Sequence, residues 1–194
     1  RPQGYFRQGR VTCPRPLLVT LWLLWPALAV AGSVDHVGAR HARGVYTVDL
    51  DMVLDATVER VQAIVTDYDG LHRLSSSIVE SRRLPPSATE PDRRRVVYRA
   101  CFLIYCFTAV MVEAVQFPSP GQMLSTVEPE ESDFRRGFSQ WELNQVGINQ
   151  TRIKFHSELE PRFWIPPVIG PWIIKRKMLA AARETGIKIE QLAR

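Results

Sequence analysis

The sequence predicts an α+β fold in which a curved antiparallel sheet of about seven strands wraps around one long C-terminal helix. Residues 93–117 contain no Gly, Pro, Asn or Asp and are rich in residues that favour strands. Residues 151–159 alternate apolar and polar side chains, which is typical of a sheet covered on one side only. Near the C-terminus, apolar residues recur at the three- and four-residue steps of one helix face: Ile174, Met178, Ala181, Thr185, Ile189 and Leu192.

Length and charge limit the function classes. The chain has 194 residues, 45% of them hydrophobic, which is enough for one domain with a substantial core. The formal net charge of +5 is unevenly distributed, because residues 1–31 contain four arginines and no acidic residue. The remainder has 21 basic and 20 acidic residues, a net charge of +1. Nucleic acid is therefore not an expected partner, since its binding requires a concentrated basic face.

Residues 1–31 have the three parts of a secretory signal peptide. Arginines precede an uncharged run from Leu17 to Ala31. The run ends in Ala29-Val30-Ala31, which has the small-x-small pattern of a cleavage site. We therefore expect export with cleavage near Ala31, and in a bacterium a periplasmic domain. An uncleaved membrane anchor is the alternative, although the run is shorter than the roughly 20 apolar residues of a membrane span.

The folded domain is expected over residues 45–194. Residues 32–44 are polar and lack periodicity, and we interpret them as a linker. An alternating strand at 45–54 is followed by a helix that Asp55 is predicted to cap. Further strands are expected at 75–84, 122–130, 134–143 and 151–159, separated by turn-forming residues.

Cys101 and Cys106 lie inside the strand-like segment 93–117. Strands rarely exceed about ten residues, so the chain is expected to reverse within this segment. On one continuous strand the two cysteines would be about 16 Å apart, too far for a disulfide. Across a hairpin with a four-residue tip they can bond, and an exported protein permits it. Two buried reduced thiols are the alternative.

Three stretches, in this order, resemble the START-like superfamily, also called SRPBCC. They are VDLDMVLDATVERVQAIVTDYDGLHRL, GFSQWELNQVGINQTRIKFHSELEP and the amphipathic helix after FWIPPVIGP. This group shares the helix-grip fold and includes coenzyme Q-binding proteins, polyketide cyclases and plant pollen allergens. The resemblance covers residues 45–194 and is one of pattern, since no catalytic signature takes part in it. It implies a deep apolar cavity between the sheet and the long helix.

The resemblance implies that a hydrophobic small molecule occupies this cavity. Such families carry lipids, isoprenoid quinones or polyketides, so we expect a carrier or sensor without a cofactor. The mixture of Trp, Phe and Met suits a flexible apolar ligand, although packing of a core also accounts for these side chains. The candidate ligand-binding residues are Tyr68, Leu71, Met111, Trp141, Phe155, Trp164, Ile174 and Met178.

An apolar loop at residues 163–169 precedes an aromatic and basic start of the C-terminal helix. Aromatic rings beside cations suit a membrane interface. The alternative is a loop that packs onto the sheet and cations that are a solvated helix face. The residues predicted to make transient contact with a membrane surface are Phe163, Trp164, Trp172, Lys175, Arg176 and Lys177.

Motifs for metal, nucleotide or nucleophilic chemistry are absent from the sequence, which has no HExxH, CxxC, P-loop, GxGxxG or GxSxG. Glu113 is the one candidate acid–base group, because a buried carboxylate is suited to proton transfer. A Glu at a sheet edge or in a salt bridge is the alternative. An enzyme of the cyclase or hydrolase type is thus the second hypothesis. A protein-interaction module that docks through the hairpin tip or the loop at 163–169 is the third.

Overall fold

The computed structural model describes residues 33–102, 105–163, 165 and 170–193. Within these residues, eight strands form one sheet and two α-helices pack with it. Two short 3-10 helices, Tyr68–Arg73 and Pro129–Glu131, lie in the connections. The elements in chain order are β1 (Ser33–Ala42), β2 (Val45–Leu54), α1 (Val58–Val65), β3 (Ile78–Leu84), β4 (Arg93–Phe102), β5 (Tyr105–Gln116), β6 (Gln122–Val127), β7 (Phe134–Gly147), β8 (Gln150–Pro161) and α2 (Gly170–Ala193).

The strand order in the sheet is β1-β2-β8-β7-β6-β5-β4-β3, and all neighbours are antiparallel. Pairing of β2 with β8 joins the beginning of the domain to its end. The sheet and the C-terminal helix packed on it confirm the predicted α+β helix-grip architecture. Neither described helix is long and apolar enough to cross a membrane.

The eighth strand is β1, and it corrects the interpretation of residues 32–44 as a linker. It pairs with β2 through a two-residue turn at Arg43 and Gly44, whose φ angles of 52° and 83° are both positive. Positive φ at both positions is the backbone of a type I′ hairpin turn, which matches the twist of paired strands. Most of β1 is exposed and Ala39 is its one buried residue. Its apolar inward positions are only Val37, which packs against the core, and Ala39, and this pattern is too short for hydrophobic periodicity to reveal the strand.

The inner face of the sheet follows the alternation that the sequence predicts. In β2 every second residue is buried: Tyr46, Val48, Leu50, Met52 and Leu54. Leu50, Met52 and Leu54 join the main core cluster, which also includes Ile153 of β8, Val61 of α1 and Ile189 of α2. The N-cap of α1 is Thr57, whose Oγ1 accepts a hydrogen bond from the Arg60 backbone N–H, rather than Asp55. Asp55 instead accepts a hydrogen bond from Gln150 Nε2 at 2.9 Å.

The two halves of α2 have different environments. Its C-terminal half packs on β1, β2 and α1, and its buried positions there include Gly186, Ile189 and Ala193. A Cβ at Gly186 would overlap the thioether of Met52, so glycine permits this close approach. Leu192, which the predicted stripe included, is exposed because the buried series continues four residues beyond Ile189. The N-terminal half of α2 instead lines a cavity.

Candidate ligand-binding cavity

A cavity of about 330 Å³ lies between the inner face of the sheet and the N-terminal half of α2. Strands β2, β4, β5, β7 and β8 and the segment from Leu71 to Ile78 contribute to its walls, and α2 contributes residues from Ile173 to Thr185. Most of the lining is apolar. The volume lies at the lower end of the range of small-molecule sites in proteins.

Six of the eight predicted ligand-binding residues line this cavity: Leu71, Met111, Trp141, Phe155, Ile174 and Met178. Tyr68, expected at the rim, lies in the core with 1% of its surface exposed. Its hydroxyl donates to Asp92 Oδ2 at 2.8 Å, and the Arg83 guanidinium lies 4.3 Å from the centre of its ring. These contacts hold Tyr68 away from the cavity. Trp164 falls outside the described residues.

The centre of the cavity floor is formed by small side chains. Ser125 of β6, Ser139 of β7 and Ser157 of β8 are directly opposite one another in the sheet register. Ser139 and Ser157 line the cavity, beside the large Trp141 and Phe155 rings, whose centroids are 4.6 Å apart. Alternation places both serines on the inner face, but only the register of two strands shows that they are neighbours. Their small size leaves the hollow open.

A buried ion pair lies at the β4–β5 side of the cavity. Arg94 Nε donates to Glu113 Oε2 at 2.7 Å, and Arg94 Nη2 donates to Ser125 Oγ at 3.0 Å. The side chains of Arg94 and Glu113 are 9% and 2% exposed, and both residues line the cavity. Glu113 is therefore held in a salt bridge, which was one of the alternatives to a catalytic role.

The ionisable side chains at the β4–β5 side of the cavity carry no net charge together. Burial alone would lower the pKa of Arg94, but the charge of Glu113 and its hydrogen bond raise the pKa above its ordinary value. Burial raises the pKa of Tyr98, and the charge of Glu113 raises it further, so its phenol stays protonated. Together they present a neutralised ion pair and a neutral phenol to the cavity. The described residues contain no group of three or more His, Cys, Asp or Glu that could hold a metal ion.

The exposed residues of the cavity lining include Cys101, Phe107 and Lys177, and together with Phe163 beside Phe107 we call them the mouth. Cys101 and Cys106 form the predicted disulfide across β4 and β5. Strand pairing continues to Phe102 and Tyr105, so the hairpin tip is shorter than the four residues expected. The disulfide therefore ties the two strands together where they border the opening.

The residues predicted to contact a membrane divide into two groups. Phe163 turns towards the domain, where its ring lies 5.6 Å from that of Phe107 and 6.0 Å from that of Phe134. Trp172 is 58% exposed, and the Arg176 guanidinium lies 4.8 Å from the centre of its ring. Lys175, Arg176 and Lys177 are exposed as well. An aromatic and basic surface thus adjoins the mouth.

Fold and cavity together define a START-like domain. More narrowly, the chain belongs to the polyketide cyclase/dehydrase and lipid transport family, whose sequence profile matches residues 46–189. The match begins in β2 and ends in α2, and it therefore includes all the strands and the helix that line the cavity. The edge strand β1 lies outside it.

Solved structures share this fold at low sequence identity. A START superfamily protein from Mycobacterium smegmatis is 17% identical with a TM-score of 0.60, over 75% of this chain and 98% of that one. A STAR-related lipid transfer protein from Xanthomonas axonopodis is 13% identical with a TM-score of 0.57, over 82% and 100%. An aromatase/cyclase from a Streptomyces species is 10% identical with a TM-score of 0.50, over 77% and 91%. No curated protein matches the sequence. Identities this low show the fold alone.

The buried pair predicts a strong dependence of stability on both partners. Glu113→Ala leaves the Arg94 cation buried without its counter-charge, so we expect the free energy of unfolding to fall by about 3–5 kcal/mol. The double variant Arg94→Met/Glu113→Leu removes both charges and is expected to lose much less. Urea denaturation at pH 7 measures all these values.

The matched control is Arg136→Ala, which breaks the exposed pair with Glu160. Surface pairs contribute about 0–1 kcal/mol, so this change should be small. A double variant of the buried pair that loses as much stability as Glu113→Ala would contradict the coupling.

Proposed function

We propose that this domain binds a hydrophobic small molecule in the cavity and acts as its carrier or sensor. The observation that carries the proposal is an apolar hollow kept open by Ser139 and Ser157 at the centre of its floor. Protein interiors are normally packed without voids of this size. Two large apolar side chains at these positions would fill the space and stabilise the core, so their absence favours a ligand.

A carrier is favoured over an enzyme by the chemistry of the lining. Glu113 is the one carboxylate among the described residues that line the cavity, and it is bound to Arg94. This lining includes no histidine, and its cysteine, Cys101, is in a disulfide. The family description covers both cyclases and lipid transport, so an enzyme that uses Glu113 is the second candidate.

The size of the cavity limits the ligand. At about 30 Å³ for a water-sized group, about 330 Å³ holds a single chain or ring system of roughly a dozen heavy atoms. A longer molecule would extend through the mouth. The proposed ligand is therefore one slender apolar chain or ring, not a lipid with two chains buried in full.

Filling the cavity should abolish binding. Ser157→Trp places an indole in the centre of the floor, and we expect the affinity for the apolar fluorescent probe N-phenyl-1-naphthylamine to fall at least about tenfold, or about 1.4 kcal/mol. Gln140→Trp is the control, because Gln140 is on the exposed face of the sheet beside Ser139. Fluorescence titration measures both variants.

Native mass spectrometry of the protein purified from its own cells gives an independent measurement, because a bound ligand appears as added mass. A wild-type protein that neither carries added mass nor binds the probe would contradict the carrier function.

We propose that the surface next to the mouth makes transient contact with anionic membranes. Support comes from the exposed Trp172 and the cluster Lys175-Arg176-Lys177 beside it. A ring at headgroup depth and cations facing anionic lipid are favourable together. Contact at this place would bring the opening of the cavity to the bilayer surface.

Two double variants with equal net charge test the membrane contact. Each basic residue near an anionic surface contributes about 1 kcal/mol, so Lys175→Gln/Arg176→Gln should weaken binding to phosphatidylglycerol vesicles roughly 30-fold. Arg183→Gln/Lys188→Gln removes two exposed cations further along α2 and should have a smaller effect. Vesicle co-sedimentation measures both. Equal loss in the two variants would mean that only overall charge matters.

We also propose that the protein is exported, after cleavage near Ala31. The signal-like residues 1–31 and the disulfide support this, because disulfides persist in oxidising compartments. Cleavage there would leave the whole sheet intact, since β1 begins at Ser33.

The intact mass of the protein from its own cells tests export. We expect the mass of residues 32–194 with one disulfide in the periplasmic fraction. Ala29→Leu/Ala31→Leu removes the small residues that a signal peptidase requires and should retain the leader. A wild-type chain that keeps residues 1–31 in the membrane fraction would instead support the anchor.

A further inference from the structure

Two serine hydroxyls on the cavity floor have hydrogen-bonding capacity that the protein leaves unused. Ser139 and Ser157 are each 6% exposed and face each other across β7 and β8. Both line the cavity, and neither hydroxyl makes a hydrogen bond within the part of the chain that the structure describes. Neither hydroxyl oxygen is among the fully enclosed side-chain atoms that lack a partner in the described residues, so both are open to the cavity. An oxygen of a molecule in the cavity can therefore reach them.

The two serines continue a polar row across the floor. Arg94 of β4 is opposite Glu113 of β5, and Arg94 Nη2 donates to Ser125 Oγ on β6. Ser125 is in turn opposite Ser139, and Ser139 is opposite Ser157. At the Arg94 end the row is satisfied by contacts within the protein. At the serine end it is not, so the free hydrogen-bonding groups are next to the Trp141 and Phe155 rings.

The unused capacity extends to the neighbouring ring. Trp141 lines the cavity two residues beyond Ser139, and its Nε1–H is buried without an acceptor among the described residues. The Trp141 Nε1–H is enclosed by protein atoms and is not open to a ligand, whereas the Ser139 and Ser157 hydroxyls face the cavity and are able to donate. An oxygen acceptor is therefore the chemical group that this part of the floor lacks.

Charge decides which kind of oxygen the floor accepts. The one cation and the one carboxylate of the floor, Arg94 and Glu113, neutralise each other. A carboxylate or phosphate buried beside the serines would lose its hydration without gaining a counter-charge, which is costly. The cations that line the cavity without a buried partner, Arg99 and Lys177, are exposed. A neutral oxygen suits the floor, whereas an anionic one suits the opening.

We propose that Ser139 and Ser157 recognise a neutral carbonyl or hydroxyl oxygen on an otherwise apolar molecule, which enters the cavity with this oxygenated end first. This inference rests on the proposed binding function and specifies the ligand class of the same cavity. The apolar remainder of the molecule then lies along Met111, Ile174 and Met178 and ends at the mouth.

An eleven-carbon series tests the ligand class on the wild-type protein. Undecan-2-one, undecan-1-ol, undecanoate and undecane differ in their terminal function and have the size that the cavity holds. We expect the ketone and the alcohol to displace N-phenyl-1-naphthylamine at concentrations at least about tenfold lower than undecanoate or undecane at pH 7. If undecanoate displaces the probe at the same concentration as the ketone, the inference is overturned, and the polar group of the ligand would instead lie at the mouth.

Serine variants assign the recognition to the floor. Ser139→Ala/Ser157→Ala should weaken undecan-2-one about tenfold while the affinity for the probe stays the same, which also shows that the cavity is intact. Ser77→Ala is the matched control, because Ser77 lines the cavity away from the floor. The double variant that keeps the preference for the ketone would overturn the role of the serines.

A spectroscopic measurement separates hydrogen bonding from a change in packing. The carbonyl carbon-13 resonance of labelled undecan-2-one should shift downfield on binding to the wild type, and less in the double serine variant. No shift in the wild type would overturn the inference. The probe distinguishes this failure from failure of the proposed function. A wild-type protein that does not bind the probe would contradict both the binding function and the ligand class. A wild-type protein that binds the probe but shows no preference for a neutral oxygen would contradict only the ligand class.

Discussion

The close approach of α2 to β2 is the constraint on which the cavity depends. Gly186 permits the helix backbone to meet Met52, which is fully buried, and Ile189 and Ala193 continue the contact. A twisted sheet and a straight helix stay in contact over only part of their length. With the C-terminal half of α2 fixed in this way, its N-terminal half is held away from β4, β5 and β7. The hollow is therefore a consequence of how one end of the helix packs.

The floor beneath this hollow combines features that a plain core would avoid. Small serines occupy the centre of the sheet, where large apolar residues would contribute more to stability. A buried ion pair adds little or nothing to stability compared with an apolar pair of the same size. Arg94 and Glu113 do, however, hold Ser125 and the adjacent polar row in one arrangement. Both features cost stability and increase hydrogen-bonding specificity, which is expected of a site rather than of a core.

Local patterns in the sequence, together with the family resemblance, were enough to predict the architecture and six residues of the cavity wall. Alternation identified the inner faces of β2, β7 and β8, and the length of the strand-like segment 93–117 indicated the β4–β5 hairpin. Three features depended on contacts between distant residues and were missed. The strand β1 is polar because it lies at an edge, Tyr68 is held in the core by Asp92 and Arg83, and the serine pair exists only through the register of β7 and β8.

The orientation of the ligand connects the floor to the mouth. A molecule whose oxygen is bound at Ser139 and Ser157 has its apolar end at Phe107 and Phe163, next to the exposed Trp172. Leaving tail first into water would expose that apolar end, whereas leaving into a bilayer would not. The cations beside Trp172 face the headgroups in the same orientation. The disulfide between Cys101 and Cys106 ties β4 to β5 beside the opening. A molecule that leaves tail first must break the hydrogen bonds at the floor as it begins to move outward.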